Sequence, residues 1–128
     1  MNKKIQIIAE IGWNFLGDLD LACKMISSAS ESGADYVKFQ FWNENNLKEG
    51  EWDNDGRREI YKKAQLTIER YNKLRDFAQS KKIQCFTSVF SLSDLNIIHS
   101  NGDRIIKIPS HEAYNIQMIE EALSKFDK

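Results

Sequence analysis

Two lysines interrupt stretches that are otherwise largely apolar: Lys38 in YVKFQF and Lys107 in RIIKIPS. An ammonium carried inside a strand is costly unless its charge is paired. Other polar groups stand at comparable places in the chain. Glu10 closes the run IQIIAE, and Asn14 follows it in the loop. Gln40 lies two residues past Lys38, so both side chains point to one face of a strand. Thr87 and Ser88 lie near the end of IQCFTSVF, and Ser110 and Glu112 follow Lys107. Two lysines with hydroxyls and backbone donors nearby form an oxyanion or phosphate pocket. Two carboxylates in the same cluster, Glu10 and Glu112, can coordinate sugar hydroxyls, hold a metal or move protons.

Taken singly, each residue also has a plainer reading. Lys38 or Lys107 alone is as consistent with a structural ion pair to Glu10 or Glu112. Glu10 alone would cap backbone amides. Ser88 and Ser110 alone would begin loops. His99 reads as a surface helix residue, and His111 lies beside the cluster, where one histidine makes no metal site. Trp13, Trp42 and Trp52 fall in loops near strand ends, where they either line a pocket or pack the loops. Both lysines at matching positions favour the ligand site.

The elements that must position these residues alternate. IQIIAE (5–10) reads as a short, buried, Ile-rich strand ended by a glycine turn. Asp18 is placed to cap a helix in which Leu19, Ala22, Cys23, Ile26 and Ala29 recur at helical spacing, and Gly33 ends it. DYVKFQF (35–41) is the second strand. The polar stretch WNENNLKEGEWDNDGRRE reads as a long loop, and loops of that length are often functional. A helix is expected from about Ile60 to Ser80, with a split at Leu66-Thr67. IQCFTSVF (83–90) is the third strand with its exit loop. Ser91 or Ser93 is placed to cap a short helix through Ile98, and Asn101-Gly102 is a turn. RIIKIPS (104–110) is the fourth strand, stopped by Pro109. Asn115 is placed to cap a last helix to about Phe126. Four βα units in succession imply a single α/β domain over 1–128 with a parallel sheet and right-handed crossovers. In such folds ligand chemistry collects at the C-terminal ends of the strands.

With 128 residues and a net charge of −1, the chain suits one domain and lacks the basic face of a nucleic-acid or membrane-surface binder. No apolar run approaches the ~20 residues that cross a bilayer. The opening MNKKIQIIAEIG shows no signal-peptide pattern. Cys23 and Cys85 are too few for a disulfide scaffold and read as buried free thiols, in keeping with a reducing cytoplasm.

Three stretches together resemble the sialic acid synthase family: IIAEIGWNFLGDLDLACKMISSASESGADYVKFQ, LTIERYNKLRDFAQSKKIQCFTSVF and IIKIPSHEAYNIQMIEEA. They match an AEIG-x-NH-x-G opening, a GAD-x-VKFQ second strand, an F-x-STPF third strand and a KI-x-SGE fourth strand. The family condenses phosphoenolpyruvate with N-acetylmannosamine or a related acetamido sugar. The resemblance implies that Lys38, Ser88, Lys107 and Ser110 contact the phosphate and carboxylate of phosphoenolpyruvate. It implies that Glu10, Gln40 and Asn14 face the sugar, and that Glu112 and Glu10 are the catalytic carboxylates, Glu112 handling protons near the reacting carbons. A divalent cation, Mn or Mg, is expected to polarise the aldehyde.

The departures from the family pattern are specific. Phe15 stands where the family usually has His, Val89 replaces the Pro of STPF, and Pro109 and His111 flank Ser110, with His111 expected as a bulky ring in the floor of the site. The family fold is a TIM-barrel-like (β/α)8 barrel of ~250 residues, of which these units supply about half. The two histidine metal ligands belong to the other half, so the ligands are expected outside this chain. Half a barrel leaves two edges and one sheet face open, and Val37, Phe39, Phe86, Ile106 and Ile108 would need cover. A homo-oligomer or a complementary half-barrel chain would close it. The expected function is the synthase reaction or the N-terminal portion of such an enzyme. The alternative is a non-catalytic half-barrel module that only forms an oligomer or pairs with a second chain.

Overall fold

The computed structural model describes residues 5–128. The leader question rests partly on Met1 to Lys4, which lie outside the described residues. Four strands form one parallel sheet in sequential order. These are β1 (Ile8–Gly12), β2 (Tyr36–Phe41), β3 (Gln84–Val89) and β4 (Ile106–Lys107). Five helices connect and follow them: α1 (Leu19–Glu31), α2 (Arg57–Ala64), α3 (Ile68–Ser80), α4 (Leu92–Ser100) and α5 (Ile116–Lys125).

The caps explain the helix boundaries. Asp18, Thr67, Ser91 and Asn115 each accept a backbone N–H of the first turn they precede, satisfying a donor that the helix itself leaves open. Thr67 thus divides the expected 60–80 helix in two, at the place the sequence suggested. The helices lie on one side of the sheet. Ala22 and Ile26 of α1, Tyr71, Leu74 and Ala78 of α3, and Leu95 and Ile98 of α4 are buried in one core with Val37, Phe39, Phe41 and Val89.

Three boundaries differ from expectation. β1 begins at Ile8 rather than residue 5 and is an edge strand, with Ile5, Ile7 and Ile8 each at least half exposed. The Asp35 carboxylate takes the Ile7 N–H at 2.8 Å, so the ladder starts one residue later, at Ile8 opposite Tyr36. β4 is two residues long, not seven. Pro109 offers no N–H, and the chain turns at once into a 3-10 turn, Ser110–Glu112. The polar loop is shorter than expected because α2 already starts at Arg57, and the loop carries two 3-10 turns, Glu44–Asn46 and Glu51–Asp53. Arg58 ties both turns to α2, bonding Glu44 at 2.8 Å and Asp53 at 2.5 Å.

The open face of the sheet is more polar than the sequence suggested. Val37 and Phe39 lie fully buried under the helices, and Ile106 and Ile108 pack against the same core. Of the five residues expected to need cover, Phe86 alone is in register with Lys38 on the open side. There it meets Tyr36 edge-on at 5.7 Å.

Candidate functional site

Strand register determines what the open face presents. Glu10 pairs with Lys38, Lys38 with Phe86, Gln40 with Ser88, and Ser88 with Lys107. Paired residues on adjacent strands share a face, so Glu10, Lys38, Gln40, Ser88 and Lys107 all point away from the helices. The Lys38 ammonium is buried, ion-paired to the Glu10 carboxylate and donating to Ser88 Oγ at 3.0 Å. The pair is asymmetric: the Lys38 side chain is 10% exposed and that of Glu10 47%. Glu10 therefore keeps a solvent-facing side. Lys107 is exposed beside Ser88 and makes no ion pair through its side chain among the described residues. Lys38 and Lys107 flank Ser88, one satisfied and one open to solvent.

Gly12 keeps this corner clear. A β bulge between Glu10 and Gly12 shifts the register, and Gly12 has φ +59, a left-handed conformation that favours glycine. A Cβ there would lie 3.1 Å from Glu10 Oε1 and 3.4 Å from Gln40 Nε2. Glu10 and Gln40 thus converge over an atom-thin spot of backbone.

Not every expected residue joins the cluster by contact. The Asn14 side chain donates to the Ile11 carbonyl at 2.9 Å and closes its own turn. Ser110 is exposed at the start of the 3-10 turn. Glu112 is buried a short distance along: Asn115, the cap of α5, donates to its Oε2 at 2.8 Å, while Lys48 lies 3.7 Å and His111 3.9 Å from Oε1. His111 stands beside Glu112 on the wall of an adjoining cleft. It is exposed and stacks on Phe90 at 5.5 Å. Phe15 is not a site residue: it is fully buried, edge-on to Phe39 at 5.8 Å.

Gln40 and Glu112 also line a second feature, a cleft of about 250 Å³ roofed by the 42–56 loop. Aromatic rings share its walls with polar groups, among them Asn43, Asn46 and Lys48. Trp42 meets Tyr61 at 6.0 Å and Phe90 at 5.8 Å, and Trp13 meets Tyr61 at 5.6 Å. Trp13, Trp42 and Trp52 all line the cleft, and Trp52 also ties its own loop by donating to the Lys48 carbonyl at 3.0 Å.

The sequence reading missed Asp94, which also lines this cleft. It is fully buried in the first turn of α4, where its N–H donates to Ser91 Oγ at 3.1 Å and its Oδ2 accepts from the same hydroxyl at 2.7 Å. Its Oδ1 has no hydrogen-bond partner among the described residues. Burial raises its carboxyl above the usual carboxylate range, and the Ser91 hydrogen bond opposes that rise. The only signal in the sequence was an acid three residues after a capping serine, which reads as a cap.

No three His, Cys, Asp or Glu side chains among the described residues gather as a metal site would require. The carboxylate nearest the cluster, Glu10, is paired with Lys38. The residues present do not by themselves fit a divalent cation.

Comparison with known proteins bears on the whole arrangement. The chain is 32% identical over 123 residues to a pseudaminic acid synthase of Campylobacter jejuni, covering 88% of this chain and 36% of that protein. It is 31% identical to an N,N'-diacetyllegionaminic acid synthase of the same species, covering 98% and 41%. The crystal structure of an N-acetylneuraminic acid (sialic acid) synthetase from Leptospira borgpetersenii, in complex with citrate, superimposes with a TM-score of 0.86 at 34% identity, covering 97% and 42%. The chain thus spans about two fifths of the length of these relatives, and its four βα units correspond to the N-terminal part of a TIM-barrel-like synthase. The NeuB family model matches residues 25–128, a span that includes β2, β3, β4 and all but Glu10 and Asn14 of the candidate residues, and on that match this chain belongs to the NeuB family.

Proposed function

We propose that this chain forms the phosphoenolpyruvate-binding half of a synthase that makes a nonulosonic, sialic-type acid from an acetamido sugar. The observation that carries the reading is Lys38: a buried ammonium on the open face, held by Glu10 and Ser88, with the solvent-facing Lys107 in register on the next strand. An ammonium bonded to a hydroxyl, with a second lysine in register on the next strand, suits a phosphate or a carboxylate. Lys38, Ser88, Lys107 and Ser110 would hold phosphoenolpyruvate. Glu10 and Gln40, meeting above Gly12, would face the sugar, and Asn14 at the β1 turn would border it. Glu112, held by Asn115, would move protons near the reacting carbons.

In the reaction, C3 of phosphoenolpyruvate bonds to the sugar aldehyde carbon. Water adds at C2, and phosphate leaves with cleavage of its bond to C2 through oxygen. A divalent cation that polarises the aldehyde would take its ligands from outside this chain. A second copy or a complementary chain would complete the barrel. The discriminating experiment is release of inorganic phosphate from phosphoenolpyruvate plus N-acetylmannosamine with Mn²⁺ or Mg²⁺. Release that depends on the sugar supports the reading.

One observation favours the alternative of a half-barrel module without turnover: β1 and β4 are both edges among the described strands, and the face between them is covered by no helix. On that reading the chain assembles with itself or a partner and releases no phosphate with any metal.

A further inference from the structure

We propose that Asp94 reads the amide N–H of an acyl-amino group seated in the aromatic cleft. The proposal rests on the acetamido-sugar reading above and deepens it. Three facts converge. Asp94 lines the cleft; it is 1% exposed; and its Oδ1 has no hydrogen-bond partner among the described residues. A buried acceptor without a donor is an exception that calls for a reason. The cap does not supply one, because Oδ2 alone meets Ser91, at 2.7 Å.

The surroundings select the donor. The cleft that Asp94 lines also carries the rings of Trp42, Tyr61 and Phe90, beside polar side chains such as Asn43 and Asn46. The Trp42 indole N–H is already directed to the Tyr61 carbonyl, at 3.4 Å, so it does not serve Asp94. A group that brings one N–H next to a methyl matches an acceptor set among aromatic faces. A bare hydroxyl would satisfy Oδ1 but leave the aromatic wall without an apolar partner. The cleft joins the Lys38 cluster through Gln40, two residues along the same strand face. A sugar with its aldehyde toward that cluster can extend its acyl-amino substituent into the cleft.

The test uses the full chain and ligand-observed NMR titration with two probes. N-acetylmannosamine carries the amide. Its analogue 2-acetonyl-2-deoxymannose keeps the methyl ketone and replaces N–H by CH₂. The expected result is a preference for the amide of roughly tenfold or more in the wild type. In Asp94→Ala the preference falls to about one, while phosphoenolpyruvate binding persists. Asp94→Leu, of similar volume, serves as the second variant if the alanine variant does not melt cooperatively. Equal affinity of the wild type for the two probes overturns the proposal, as does a preference that survives in a folded Asp94 variant. Binding of phosphoenolpyruvate without either sugar overturns this proposal and spares the phosphate site. Binding of none of the three overturns both.

Discussion

Lys38 and Ser88 are not opposite each other in the sheet. Lys38 pairs with Phe86, and Ser88 pairs with Gln40. The lysine stem climbs one step toward the C-terminal end of the strands, where its ammonium donates to Ser88 Oγ at 3.0 Å. Its length thereby moves a positive charge from mid-strand to the rim, the place where ligands bind in parallel α/β folds. Glu10 compensates the charge.

That arrangement makes the Glu10–Lys38 pair unequal. In Glu10→Gln the Lys38 ammonium stays buried without its counter-charge, at an expected cost of about 1–3 kcal/mol. Lys38→Met leaves Glu10 free to turn to solvent and is expected to cost less than about 1 kcal/mol. Urea unfolding midpoints of the two variants check this order.

Gly12→Ala is expected to destabilise by about 1 kcal/mol, because alanine resists φ +59. Its methyl would also press on Glu10 Oε1 and Gln40 Nε2. Sugar affinity should therefore fall further than stability alone explains, as titration at a temperature well below the melting midpoint would show.

Asp94 links stability to acid pH. Burial raises its carboxyl above the usual 3.8. As pH climbs past 3.8 the unfolded chain releases this proton first, so the folded chain holds more protons and loses stability up to its own higher pKa. Asp94→Asn cannot ionise. Melting midpoints from pH 4 to pH 7 are expected to shift in favour of the variant relative to wild type.

Cys85 acts at the alkaline end. Burial, with Asp103 adding to it, pushes its thiol from 9.0 to about 12. The unfolded thiol ionises first above pH 9, so stability falls as pH rises through that range. Tyr71, also raised by burial, adds the same sign above pH 10. Cys85→Ser is therefore expected to flatten the stability curve between pH 9 and 10, and Cys85 should resist alkylation in the folded chain at pH 8.

What the sequence disclosed follows from how local each signal is. Asp18, Thr67, Ser91 and Asn115 bond within a few residues, so their caps were legible as single letters in context. Lys38 and Gln40 shared a face by strand periodicity alone. Their junction with Glu10 and Ser88 followed once the strands were taken in sequential order. The length of β4 was not legible, because the backbone of Arg104 and Ile106 bonds instead to Asp127 and Lys128, much further along the chain. Nor was the helix-side burial of Val37 and Phe39, because an apolar run on a parallel strand does not say which face is covered. Asp94 was hidden by its own plausibility: an acid in the first turn of a helix capped by Ser91 invites no second question, and only the folded chain reveals the cleft it lines. The tryptophans of the 42–56 loop were ambiguous for the same reason.

The most direct test is a thermal melt of the chain with and without phosphoenolpyruvate, beside Lys38→Ala. At 100 times its dissociation constant, a ligand that binds only the folded state adds about 2.7 kcal/mol. The account predicts a raised midpoint for the wild type and none for the variant. A wild-type chain that melts cooperatively at an unchanged midpoint would contradict it, since the phosphate site would then not be formed by these four βα units.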